Sequence, residues 1–178
     1  MGKKIVITGG LGYIGTELCK IYSGISWNNT IVVIDNRFIS ERVNQIRNWN
    51  MNFVHGDILD KELINKYCKN ADVVHHLAGI TDVPRTKSES NQEKDNLIKI
   101  VAEKGTQNIL DSISDNCKII FPSTHVVYEG IEKIQNEISE DVEVKPILSY
   151  STSKALNEKQ LISSKKNYVI LRLGSVYG

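Results

Sequence analysis

The chain has 178 residues, and its 22 Lys+Arg against 21 Asp+Glu leave a net charge of +1 at pH 7. That length fills one domain core, and the balanced charge argues against a nucleic-acid binder, which carries a strong basic excess. The three cysteines, Cys19, Cys68 and Cys117, are too widely spaced for a disulfide framework or a zinc pattern, and read as reduced, buried thiols.

Residues Lys4 to Thr8 read as a buried strand. The basic start before it superficially resembles a leader, but the apolar run Ile5 to Ile7 is far shorter than the roughly 7 to 15 residues of a signal h-region. No segment approaches the roughly 20 apolar residues of a membrane span. The expectation is a soluble, cytoplasmic protein with no membrane partner.

The first strand runs straight into Thr8-Gly9-Gly10-Leu11-Gly12-Tyr13-Ile14-Gly15. A helix is predicted from Tyr13 to Ser23, with Ile14, Leu18 and Ile21 on one face. A helix N-terminus offers backbone N–H groups and about half a positive charge, which suits a pyrophosphate. Gly9 permits the tight turn, Gly12 clears the approach of phosphate, and Gly15 lets the helix pack close to the strand. Glycine turns are common, so the strand before and the helix after are what give the pattern weight.

A second strand spans Thr30 to Asp35. A carboxylate at its end can accept both hydroxyls of an adenosine ribose and repels a 2′-phosphate, favouring NAD over NADP. Arg37 complicates this, since a nearby arginine can accommodate that phosphate. A surface turn residue is the bland reading of Asp35. Asn52 to His55 forms a short third strand, followed by Asp57 in His55-Gly56-Asp57-Ile58. Asp57 reads either as an adenine contact with Ile58 packed on the ring, or as the N-cap of a helix over Lys61 to Cys68.

Asp72 to Leu77 is a fourth strand, Gln92 to Ser114 a long helix, Lys118 to Phe121 a fifth strand, Tyr150 to Ser163 another helix, and Tyr168 to Leu173 a sixth strand. Apolar strands alternating with helices predict a doubly wound parallel α/β sheet, a Rossmann fold, over the whole of residues 1–178. The longest candidate loop is Glu129 to Lys145. His75 and His76 lie within one strand and point to opposite faces. None of the four histidines has metal-ligand spacing, so no metal site is expected.

Tyr150 and Lys154 stand four apart, one helical turn, on one face. A free tyrosine has a pKa near 10 and is a poor base at neutral pH. A neighbouring ammonium stabilises the phenolate and lowers that pKa, which suits proton exchange with a substrate hydroxyl while hydride moves to or from a nicotinamide. Lys154 can also hold the nicotinamide ribose. Ser123 and Thr124 end the fifth strand, where ligands bind in parallel sheets. Thr124 reads as a donor to the reacting oxygen, or as a hydroxyl capping a backbone group.

These motifs together resemble the extended short-chain dehydrogenase/reductase family, in its NAD-dependent epimerase/dehydratase group acting on nucleotide sugars. The resemblance runs from Lys3 to Gly178, through the glycine turn, Asp35-Asn36, Gly56-Asp57-Ile58, His76-Leu77-Ala78-Gly79, Ser123-Thr124, Tyr150-x-x-x-Lys154 and Arg172-Leu173-Gly174-Ser175-Val176-Tyr177-Gly178. It implies a catalytic set of Thr124, Tyr150 and Lys154. It implies NAD contacts from Gly9, Gly12, Tyr13, Ile14, Gly15, Asp35, Asn36, Asp57, Ile58, Leu77, Ala78, Gly79, Tyr150, Lys154 and Val176. It further implies a nucleotide-sugar substrate, a substrate-side loop beginning over Thr81 to Thr86, and a homodimer through the Gln92–Ser114 and Tyr150–Ser163 helices.

Three positions depart from the pattern. His125 and Val126 replace the acidic pair of the 4,6-dehydratases, which disfavours dehydration. Ala102 stands where the family has asparagine ahead of Gly105-Thr106. Glu129 replaces the glycine of Val-Tyr-Gly, giving a form similar to the ketosugar reductases. Family members also continue into a smaller substrate-binding lobe, so the expectation is a chain that binds NAD but turns over poorly by itself. The readings are an NAD-dependent epimerase, a ketosugar reductase or dehydratase of the same family, or a non-catalytic NAD-binding module.

Overall fold

A computed structural model of the chain describes residues 2–25, 28–81, 86, 89–132 and 137–177. The substrate-side loop expected over Thr81 to Thr86 lies largely outside them. Six strands form one sheet: β1 (Lys4–Thr8), β2 (Thr30–Asp35), β3 (Asn52–His55), β4 (Val73–His76), β5 (Lys118–Thr124) and β6 (Asn167–Leu173). They lie in the order β3-β2-β1-β4-β5-β6, all parallel. The order reverses beside β1, the switch point where ligands sit in such sheets.

Both faces of the sheet are covered. Ile5, Ile7, Ile31 and Val33 pack with Cys19 of α1 (Tyr13–Ile25) and with Val43 and Ile46 of α2 (Ser40–Asn48). The alternate residues Val6, Val32, Ile34, Val74, Ile119 and Phe121 face α3 (Lys61–Cys68), α5 (Thr106–Ser112) and α6 (Ser149–Ser163) through Ile64, Ile109 and Leu161. Strands buried on two sides need apolar residues at every position, which is why they read as unbroken runs.

The helix predicted over Gln92 to Ser114 is three pieces: α4 (Gln92–Ile100), a π-helical turn over Val101–Gly105, and α5. Asn157 of α6 donates its side-chain amide to the Ala102 carbonyl at 2.8 Å. An inserted side chain of this kind opens the regular ladder into a wider turn.

The fifth strand runs past Phe121 to Thr124, through Pro122. Its pairing with β4 ends at His75↔Ile120, while its pairing with β6 continues to Thr124↔Leu173. Pro122 has no N–H to donate, and it sits where β4 no longer asks for one. Among the described residues no helix is long and apolar enough to cross a membrane.

Candidate active site

The glycine turn adopts the shape its residues demand. Gly9 has φ +71°, and a Cβ there would meet the Ala78 backbone nitrogen at 2.6 Å. A Cβ on Gly15 would meet the Gly9 carbonyl at 2.5 Å. The turn is closed by Gly12 N–H to the Gly9 carbonyl at 3.0 Å and Thr16 N–H to the Gly12 carbonyl at 2.9 Å. Helix α1 begins directly after it with no acidic residue in its first turn, so its N-terminal field is left for an anion. Tyr13 and Ile14 are exposed at this opening.

Asp35 is buried at the end of β2. Its Oδ2 accepts Leu11 N–H at 2.9 Å, while Oδ1 accepts Arg37 N–H at 3.0 Å and Nε–H at 3.2 Å. The carboxylate therefore braces the glycine turn, and it is no loose turn residue. Arg42 of α2 donates to the Leu11 carbonyl, a clamp that sequence reasoning missed along with the helix carrying it.

Asp57 joins Asn36: Asn36 Nδ2 donates to Asp57 Oδ2 at 2.9 Å, and Asp57 Oδ1 accepts Leu59 N–H at 2.9 Å. The N-cap of α3 is Asp60, which accepts Leu63 N–H, so the helix-cap reading of Asp57 is corrected. The Ile58 side chain is buried in the core against Gly105.

Thr8, His76, Thr106 and Asn157 form a buried chain of hydrogen bonds from the end of β1 to α6. His76 Nδ1 and Nε2 lie 3.0 Å from the hydroxyls of Thr8 and Thr106, and Asn157 Nδ2 donates to the Thr106 hydroxyl at 2.9 Å. Burial, aided by the Lys154 charge, pushes the His76 pKa down to about 3, so the ring is neutral. His75 points to the other face, toward the Tyr22 hydroxyl at 2.8 Å.

Thr124 caps the 3-10 turn His125–Tyr128, its hydroxyl accepting Val126 N–H at 3.2 Å. That uses an acceptor site and not the hydroxyl hydrogen. Ser123 donates to Glu158, whose carboxylate is buried and paired with Arg172 at 2.7 Å.

Lys154 Nζ donates to the Pro122 carbonyl at 2.9 Å and lies 4.6 Å from the Phe121 ring centre and 5.9 Å from that of Tyr150. The expected lowering of the Tyr150 phenol is reversed: burial pushes its pKa up. The same burial pulls the Lys154 ammonium down to about 8, against the Glu158 carboxylate, which works to raise it. Desolvation decides both directions here.

Tyr150 and Lys154 line a small cavity of about 20 Å³ together with Ala78, Gly79, Thr81, Ala102 and Asn157. The residues expected at the ends of β4 and α6 thus meet. A Cβ on Gly79 would touch nothing within 4 Å, so this floor is open. Leu77 N–H is held by the Thr8 carbonyl at 3.0 Å. Val176 is exposed in the segment after β6. A groove of about 510 Å³ beyond Thr124 is lined by His125, Val126, Tyr128, Glu129, Ile138, Glu140 and Arg172. Among the described residues no three His, Cys, Asp or Glu side chains gather as a metal site.

A family model described as the NAD dependent epimerase/dehydratase family matches residues 5–178. A dTDP-D-glucose 4,6-dehydratase of Dictyostelium discoideum is 30% identical over 197 residues, covering 99% of this chain and 44% of the relative. A CDP-paratose 2-epimerase of Salmonella typhi is 29% identical, covering 98% and 58%. The crystal structure of UDP-glucuronic acid 4-epimerase from Bacillus cereus in complex with NAD superposes with a TM-score of 0.79 at 27% identity, covering 98% of this chain and 57% of that one. The chain spans about half the length of the curated relatives it matches.

Proposed function

The chain belongs to the NAD dependent epimerase/dehydratase family, and from that premise we propose that the protein is a nucleotide-sugar epimerase in which Tyr150 moves the proton. The observation that carries this reading is the shared cavity of Tyr150 and Lys154 with Ala78 and Gly79, one residue stretch beyond the glycine turn. Two of the relatives named above are epimerases of nucleotide sugars by name.

The residues fit NAD. The opening over Gly9, Gly12, Tyr13, Ile14 and Gly15 holds the pyrophosphate on the first turn of α1. Asp35 has about four acceptor positions and three are filled within the chain, so one remains for a ribose hydroxyl, and a second opens when Arg37 yields. The Asn36–Asp57 pair takes the adenine end with the backbone of Ile58. Leu77, Ala78, Gly79 and Val176 flank the nicotinamide end. NAD supplies the acceptor and later donor of hydride.

Thr124 donates its hydroxyl hydrogen to the reacting sugar oxygen. Tyr150 accepts the proton of the sugar hydroxyl and later returns it. Lys154 holds a ribose hydroxyl, and its positive charge works against the penalty burial imposes on the phenolate without cancelling it. With His125 and Val126 beside Thr124, the acid and base that dehydration needs are absent from those two positions. We also assign a homodimer to the face where α4 and α6 expose Leu97, Ile100 and Ile162. Leu97→Glu then converts a dimer to a monomer in sedimentation, and an unchanged sedimentation coefficient refutes the interface.

The test is NMR of UDP-glucose, UDP-glucuronic acid and their CDP and dTDP counterparts incubated with the intact protein. Interconversion of epimers with no net consumption of NAD is expected, falling by roughly 10²- to 10⁴-fold in Tyr150→Phe. Stoichiometric oxidation of added NADH supports the reductase reading, which the Val-Tyr-Glu-Gly form favours. Activity indifferent to Tyr150→Phe refutes the proton-transfer assignment.

A further inference from the structure

Helix α6 carries Tyr150 as its second residue, yet its N-cap, Leu148, makes no side-chain capping bond. The first turn of a helix leaves backbone N–H groups that need acceptors. For the N-cap amide, and for that of Ile147 just before it, the acceptor comes from a residue far back in the chain. Glu129 Oε1 accepts Ile147 N–H at 2.7 Å and Leu148 N–H at 2.8 Å, and takes the hydroxyl of Ser151 as well. The same hydroxyl lies 2.9 Å from the Leu148 carbonyl, which competes with Glu129 for its single hydrogen.

Glu129 is itself tied to the other half of the site. It follows directly on the 3-10 turn that Thr124 caps. The strands of backbone on either side of it are laced together, with Lys145 N–H on the Val127 carbonyl at 2.8 Å and Gly130 N–H on the Lys145 carbonyl at 2.9 Å. A short rigid path therefore runs from Thr124 through Glu129 to Ser151, the neighbour of Tyr150.

We propose that Glu129 is a positioning residue, a cap supplied from a distant turn that fixes the start of α6 and so sets Tyr150 against Thr124. Such a charged acceptor also complements the positive end of the helix. A glycine at this position would leave the helix start to be held in some other way. The proposal rests on Tyr150 being the proton-moving group.

Two measurements on Glu129→Ala and Glu129→Gln test it separately. Hydrogen exchange of the Ile147 and Leu148 amides reads the cap without any substrate. It accelerates at least about tenfold in Glu129→Ala, an acceptor lost, while α1 and α3 keep their protection. Glu129→Gln retains an oxygen at that place and restores part of the protection. In the intact protein, kcat with the nucleotide sugar falls by roughly 10- to 100-fold in Glu129→Ala, with KM and NAD affinity within about twofold, and Glu129→Gln recovers part of it. Unchanged exchange at Ile147 and Leu148 overturns the cap, and accelerated exchange with unchanged kcat overturns its role in placing Tyr150. If the unaltered protein converts no nucleotide sugar, the functional reading falls and the exchange arm still judges the cap. Should Glu129→Ala fail to fold, Glu129→Gln carries both comparisons.

Discussion

Lys154 Nζ donates to the Pro122 carbonyl at 2.9 Å, and Pro122 has that carbonyl to spare because β5 continues past the last residue that β4 pairs with it. The ammonium is thereby anchored one turn from Tyr150, in a setting dry enough to bring its pKa to about 8.

That value fixes the sign of a pH effect. In the unfolded chain the lysine titrates near 10.4, so between about pH 8 and about pH 10.4 the unfolded state binds more protons. Stability gained from Lys154 therefore rises with pH across that window and is lowest below it. Urea unfolding at about pH 7 and about pH 10 should show a climb that Lys154→Met removes. Equal pH dependence in the two proteins refutes the assignment.

Gly9→Ala places a methyl group 2.6 Å from the Ala78 nitrogen at a backbone angle of φ +71°. Strain of this kind costs on the order of 1–3 kcal/mol. The chain should melt several degrees lower, and NAD affinity by calorimetry should fall more than about tenfold as the turn and the Ala78 stretch are forced apart. A variant that binds NAD as the parent does is incompatible with the turn as a phosphate cradle.

Asp35 should make NAD bind more tightly than NADP, by at least about tenfold, since a 2′-phosphate meets a buried carboxylate. Asp35→Ala should erase the difference while loosening the turn through the lost Leu11 bond. Arg37, already on Asp35 at 3.2 Å, is then free to meet the phosphate. Parallel titrations with the two coenzymes decide this, and a parent protein that prefers NADP contradicts it.

Glu158 is buried and holds Arg172 through Nε, at 3.1 and 3.3 Å from the two carboxylate oxygens, and Nη2 at 2.7 Å. Removing one member of a buried pair strands the other, at a cost of roughly 3–5 kcal/mol. Arg172 keeps 18% side-chain exposure, so Glu158→Gln should sit near the lower end. Chemical denaturation of Glu158→Gln against the double replacement Glu158→Gln with Arg172→Met separates the stranded charge from the lost contact; equal losses would sink the idea.

The six strands were legible because each centres on a short apolar stretch, and the bounds of Thr30–Asp35, Asn52–His55 and Lys61–Cys68 agree residue for residue. Helix α2 was not, since SERVNQIRN carries only Val43 and Ile46 toward the core. The π-helical turn was invisible because its cause, Asn157, lies 55 residues away. The strand through Pro122 escaped for a similar reason, since whether a proline is tolerated depends on how far the neighbouring strand reaches. Tyr150 and Lys154 were readable as neighbours, but the direction of the phenol's titration was not, because spacing reveals a neighbour and says nothing of how dry the place is. Glu129 showed in the sequence only as a residue out of pattern; its meaning came from the two amide groups it meets.

A four-residue β4 set beside a seven-residue β5 means that the notch where Lys154 meets the Pro122 carbonyl is a matter of unequal lengths before it is a matter of chemistry. Adding two residues to the shorter strand would roof the notch over and take the lysine's carbonyl for the ladder, with Tyr150 and Lys154 both still in the sequence.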